Sequence, residues 1–208
     1  RMRQGQNGSG SHGRPQMKKF AFSSLPKGYE LYKRIDLTKD RQAQKAVSLW
    51  GIAAALALIV PMLFVHPIGR SFDMPLGKIL FCIAAAVVAM VVYVFIHEWT
   101  HGIFIRLFTG ERGSFGFDSR YFMAYARSDS FIARGPYMEI ALAPLVIWTI
   151  VLAMLLGDID GRYFWYLYAV QILNVTGAAG DIYVTVSLLR MPKGILARDS
   201  GTAMDFYM

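Results

Sequence analysis

The chain of 208 residues contains one cysteine, Cys82, so it can form neither an intrachain disulfide nor a cysteine-based metal cluster. Cys82 sits in an apolar run and reads as a small apolar side chain. Charge is scarce too. Only 17% of the residues are charged while 55% are hydrophobic, a balance that excludes an average soluble domain. There is no aromatic-basic RNA motif, no zinc-finger spacing and no internal repeat. The net charge of +8 therefore does not point to nucleic acid. No apolar run precedes Ser48, so no cleavable signal peptide is expected. Residues 1–16, RMRQGQNGSGSHGRPQ, lack an apolar core and read as a disordered tail or an expression remnant, with His12 solvated.

What the chain has in abundance is long apolar runs, at about 48–66, 78–108, 137–156 and 163–189. Each is long enough to cross a hydrocarbon core as a helix, and Pro61 and Pro144 inside two of them are tolerable there. Basic residues gather before the first run (Lys18, Lys19, Lys27, Lys33, Arg34), between the second and third (Arg106, Arg112, Arg120, Arg127, Arg134) and after the fourth (Arg190, Lys193, Arg198). The other two loops are short and weakly charged, so the positive-inside rule puts both termini in the cytoplasm. The expected architecture is an all-α membrane protein with four transmembrane helices. Residues 17–47 form a basic cytoplasmic segment, 48–190 the membrane domain and 191–208 a cytoplasmic tail. The 110–136 connection alternates aromatic and small residues, and its stretch 113–134 predicts a short β-hairpin or re-entrant surface segment between helices 2 and 3.

His97-Glu98-Trp99-Thr100-His101 interrupts the second apolar run. On a helix, H-E-x-x-H puts two imidazoles four residues apart on one face, aimed at one metal ion, with a glutamate placed to act on water. A charge at the centre of a membrane helix costs roughly 2.5–3.5 kcal/mol on insertion scales, so such residues are rarely idle. A third protein ligand is needed, leaving a fourth position open. Counted from the outer side at 1.5 Å per residue, His97 and Asp181 both lie about 27 Å along their helices. Asp181 is the favoured third ligand. Glu139, near the cytoplasmic interface, is the runner-up; Asp158 and Asp160 fall on the opposite side, and His66 ends helix 1 there. Asn174 lies seven residues before Asp181, two turns on and so nearly on the same face. Gly177 and Gly180 would let another helix approach closely.

An H-E-x-x-H in one apolar helix with an N-x-x-G-x-x-x-D in a later one resembles the site-2 protease group of intramembrane zinc metalloproteases. In that group the aspartate follows an N-x-x-P-x-x-x-L-D-G pattern; here Gly177 stands for the proline, the spacing is one shorter and Ile182 follows the aspartate. From about Leu25 onward the chain is more similar to a bacterial family of small membrane proteins described as putative zincin peptidases. The shared features are Leu25 to Tyr29, His97 to Gly102, Ala141 to Pro144, Gly180-Asp181 and the D-S-G of Asp199 to Gly201. The resemblance implies a peptidase, with the substrate left unspecified.

Together these readings give a zinc-dependent protease acting near the cytoplasmic face on membrane-associated or transmembrane substrates. One Zn²⁺ is held by His97, His101 and Asp181. Glu98 serves as general base and acid, and the Asn174 amide assists at the oxyanion. The hairpin would offer a substrate an edge strand, or simply lie on the membrane surface. A non-catalytic metal-binding scaffold or chaperone is the alternative, and a metal transporter ranks below it, since helices 1 and 3 are almost wholly apolar.

Overall fold

The computed structural model describes residues 17–18, 20–119 and 123–208. The tail at 1–16 with His12 lies outside the described residues. Four apolar helical stretches are long enough to cross a membrane: Arg41–Val65, Leu76–Thr109, Arg134–Asp158 and Phe164–Leu189. The first three are the single helices α1, α2 and α3. Asp40 caps α1, its carboxylate accepting from the amides of Gln42 and Ala43 at 2.8 and 3.2 Å. Helix α2 ends at Gly110, whose φ of 78° is the left-handed conformation that a side chain resists. At 34 residues α2 is about 51 Å long, well beyond a hydrocarbon core of about 30 Å, so one end stands clear of it.

The fourth stretch is not one helix. It divides into α4 (Phe164–Gly177) and α5 (Ala179–Leu189), with a break at Ala178, whose N–H bonds to the Asn174 carbonyl at 3.3 Å.

A second layer covers one end of the bundle. Seven short strands form an antiparallel sheet: β1 (Met17–Lys18), β2 (Ala21–Phe22), β3 (Leu31–Asp36), β4 (Ser114–Asp118), β5 (Met123–Ala133), β6 (Leu196–Asp199) and β7 (Ala203–Tyr207). Their order is β1-β2-β5-β6-β7-β3, with β4 paired to β5 off that path. Strands preceding α1, strands between α2 and α3 and strands following α5 are thus hydrogen-bonded to one another. All three segments therefore lie at the same end of the bundle.

Where sheet and helix ends meet, Ile35, Ile105, Ile132, Leu188, Ile195 and Phe206 form a buried core. Each such side chain contributes about 1.5–3 kcal/mol relative to exposure. A smaller cluster around Tyr93, Leu152 and Val170 packs the bundle interior. The expected hairpin is present as β4–β5. The expectation of an all-α fold needs amendment, since strands account for about 17% of the chain beside 62% helix. β5 runs on past the hairpin to pair with β2 and β6.

Candidate metal centre

His97 and His101 lie on α2 with their Nε2 atoms 3.2 Å apart. The His101 Nδ1 is 2.9 Å from the Ile140 carbonyl of α3. A carbonyl only accepts, so Nδ1 carries a proton, which in the neutral ring leaves Nε2 free. His97 is oriented by a longer chain. The Tyr93 hydroxyl donates to Asn174 Oδ1 at 2.5 Å, which leaves its oxygen as acceptor for His97 Nδ1–H at 3.3 Å. Asn174 is itself held from α3 and α4, its amide donating to Thr149 Oγ1 at 2.9 Å and to Gln171 Oε1 at 3.4 Å. Both histidines are thus fixed through Nδ1, as ligating histidines commonly are.

Asp181 completes the group. Its Oδ2 lies 3.4 Å from His97 Nε2 and 3.7 Å from His101 Nε2. The break at Ala178 puts Asp181 in the first turn of α5, where the unpaired amides of a helix start favour a carboxylate by about 0.3–1 kcal/mol. With both rings neutral, two free imidazole nitrogens and a carboxylate oxygen face one point, with no donor among them. Such a set repels itself in a low-dielectric setting unless a cation sits between its members. Two nitrogens and one oxygen are the donor set of a catalytic zinc site with one position left over, so the residues present fit zinc.

Glu98 stands beside this point, within 4.8 Å of the histidine nitrogens. The Ala126 amide of β5 donates to its carboxylate, tying it to the hairpin as well. Together His97, Glu98, His101 and Asp181 line a cavity of about 130 Å³ that the sheet closes from above.

The structure also places the remaining candidates. Asn174 is fully buried and lies outside this cavity, so the amide expected to assist at the oxyanion is already committed to Thr149 and Gln171. Asn174 reaches Tyr93 and Asp181 reaches His97, successive turns on one face of α2, so Asn174 lies one turn away from the ligands. Glu139 is exposed and does not line the cavity. His66 is at the other end of the bundle, stacked on Phe164 with ring centroids 3.8 Å apart. Asp160 pairs with Arg162 in the loop after α3.

Two residues of the site escaped the sequence reading as functional groups, although one belongs to the D-S-G of the tail. Tyr137 and Asp199 line the cavity, and the Tyr137 hydroxyl donates to Asp199 Oδ2 at 2.6 Å. Gly201 N–H donates to the other carboxylate oxygen at 2.7 Å. Burial pushes the Asp199 carboxyl up to about 6, against the pull of these two donors.

A family model described as "Putative zincin peptidase" matches residues 90–196, slightly more than half of the chain, and its span covers α2 from before Tyr93 through α5 to the start of β6. The chain belongs to this family. Membership makes a metallopeptidase the natural frame for the His-Glu-His group, and the family's zincin character implies zinc. The matched span holds Tyr93, both histidines, Glu98, Asn174 and Asp181, whereas Asp199 and Gly201 lie beyond it. No curated protein and no solved structure matches this chain.

Proposed function

We propose that the chain is an intramembrane zinc metalloprotease of site-2 protease type, hydrolysing peptide bonds of membrane-associated or transmembrane substrates near the cytoplasmic face. The observation that carries this reading is the convergence of His97 Nε2, His101 Nε2 and Asp181 Oδ2 beside Glu98, on helices apolar enough to span a bilayer. His97, His101 and Asp181 hold one zinc ion. When bound, the ion supplies Lewis-acid chemistry, polarising a carbonyl and acidifying a water molecule.

The chain's own groups do the rest. Glu98 takes a proton from the attacking water and passes it to the leaving amine. Tyr93 and the Ile140 carbonyl hold the two imidazoles in the tautomer that leaves Nε2 free. Asn174 acts one step back, as a positioning residue that fixes the Tyr93 hydroxyl. A substrate must be extended at the scissile bond, and β4, paired only to β5 among the described residues, offers an edge for it. The cytoplasmic placement rests on the arginines and lysines of the segments that build the sheet.

Metal analysis of the purified chain tests this reading. Wild type and Glu98→Gln should each hold one zinc per chain. His97→Ala and Asp181→Ala should lose it. Glu98→Gln should also lose cleavage of any substrate the wild type cuts. Full zinc occupancy in Asp181→Ala would remove it from the ligand set, and cleavage retained by Glu98→Gln would remove Glu98 as base.

A further inference from the structure

Between α2 and the β4–β5 hairpin lies a second cavity, a groove of about 600 Å³. Its walls are Phe95, Trp99, Phe115, Phe117 and Tyr125, and Glu98 is the one charged residue among those described there. The hairpin register explains the empty space. Phe115 opposes Ala126 and Phe117 opposes Ala124, so each ring faces a methyl group across the strands and the room beside it stays open. Gly102 lets the Phe115 ring lie against the backbone of α2, since a Cβ there would come within 2.4 Å of Cζ. Tyr125 rests over Gly116 and Gly201, where a Cβ would come within 2.4 and 2.3 Å of the ring. Glu98, Ala124 and Tyr125 line both this groove and the metal-ligand cavity.

We propose that the groove is a subsite for a large apolar or aromatic side chain adjacent to the scissile bond. The proposal rests on the reading of Glu98 as the base beside a metal held by His97, His101 and Asp181. A peptide bond attacked by water that Glu98 activates lies at the seam of the two cavities. The neighbouring residue, about 3.5 Å further along an extended chain, then projects into the groove. An aromatic ring is buried there against five aromatic walls, whereas an anionic side chain loses its hydration and meets only the like charge of Glu98. A lipid chain is the competing occupant. It brings no hydrogen-bond donor or peptide group to the carboxylate that forms one wall, which is why a peptide is favoured.

Binding of peptide hydroxamates to the full zinc-loaded chain in detergent tests the subsite without relying on turnover. The probes carry methyl, benzyl, 2-carboxyethyl or octyl groups at the flanking position, and dissociation constants are measured calorimetrically. The benzyl compound should bind about tenfold or more tighter than the methyl compound, and the carboxyethyl compound weakest. Ala124→Phe should abolish the benzyl preference while the methyl compound still binds. Phe117→Ala should weaken benzyl and favour a naphthylmethyl group; it decides the matter if Ala124→Phe does not fold. Equal binding of methyl and benzyl compounds overturns the subsite. So does octyl binding above benzyl, which would make a lipid chain the occupant. If no hydroxamate binds and no zinc is held, the metal centre itself is overturned and the subsite with it.

Discussion

The hydroxyl of Tyr93 has one proton and two neighbours. It gives the proton to Asn174, and so its oxygen receives from His97. Tyr93→Phe removes that acceptor and leaves both Asn174 Oδ1 and His97 Nδ1 without their partner. Zinc affinity should fall about 10–100-fold, read by competition against a chromogenic chelator, while the apolar packing of the ring is kept. Asn174→Asp should shift the same constant with no change in the ligands. At Asp199 the consequence appears in stability. The folded chain holds the Asp199 proton more tightly than the unfolded chain, whose carboxyl titrates at its ordinary 3.8 against about 6 when folded. Between those values the folded state binds more protons, so stability falls as pH rises through the window and stays at the lower level above it. Asp199→Asn should flatten that slope in thermal melts between pH 4 and 7 (roughly the same window).

At the scale of elements, the hairpin lies closest against α2 where Phe115 meets Gly102. Gly102→Ala forces the ring to swing away and should lower stability by about 1–3 kcal/mol, with faster proteolysis in the hairpin. Phe115→Ala in the same chain should restore both, because the added methyl then meets no ring. How far such elements could be read beforehand depends on their range. The H-E-x-x-H spacing needs only the pitch of a helix, and counting from the membrane surface was enough to bring Asp181 level with it. The partner of Asn174 was not readable in that way, because Tyr93 meets it only across the packed α2 and α4. Tyr93 escaped notice because its role exists only once α2, α3 and α4 are packed. The sheet was largely hidden as well. Leu196–Asp199 and Ala203–Tyr207 are too short to show a pattern, and their partners lie on the far side of the spans in sequence.

For the molecule as a whole, the sheet constrains topology independently of charge. β2 pairs with β5, β5 with β6, and β7 with β3, so Thr38, the hairpin and Ser200 lie at one end of the four apolar helical stretches and Asp160 at the other. Introduced singly in a Cys82→Ser background, Asp160→Cys should react with a membrane-impermeant maleimide in intact cells. Thr38→Cys and Ser200→Cys should react only after permeabilisation. The reverse labelling would invert the orientation without disturbing the shared side.

The same pairing bears on how the protein is made. Gly201 and Met204, which close the metal-ligand cavity, follow all four spans in the chain, and β7 must find β3 across the whole length between Asp36 and Ala203. Contacts of such long range form late and slowly. A nascent chain with every span already inserted therefore still has an unroofed pocket and an unsupported Tyr125. The roof over His97, His101 and Asp181 is therefore the last part of the fold to close, after the helices beneath it are in place.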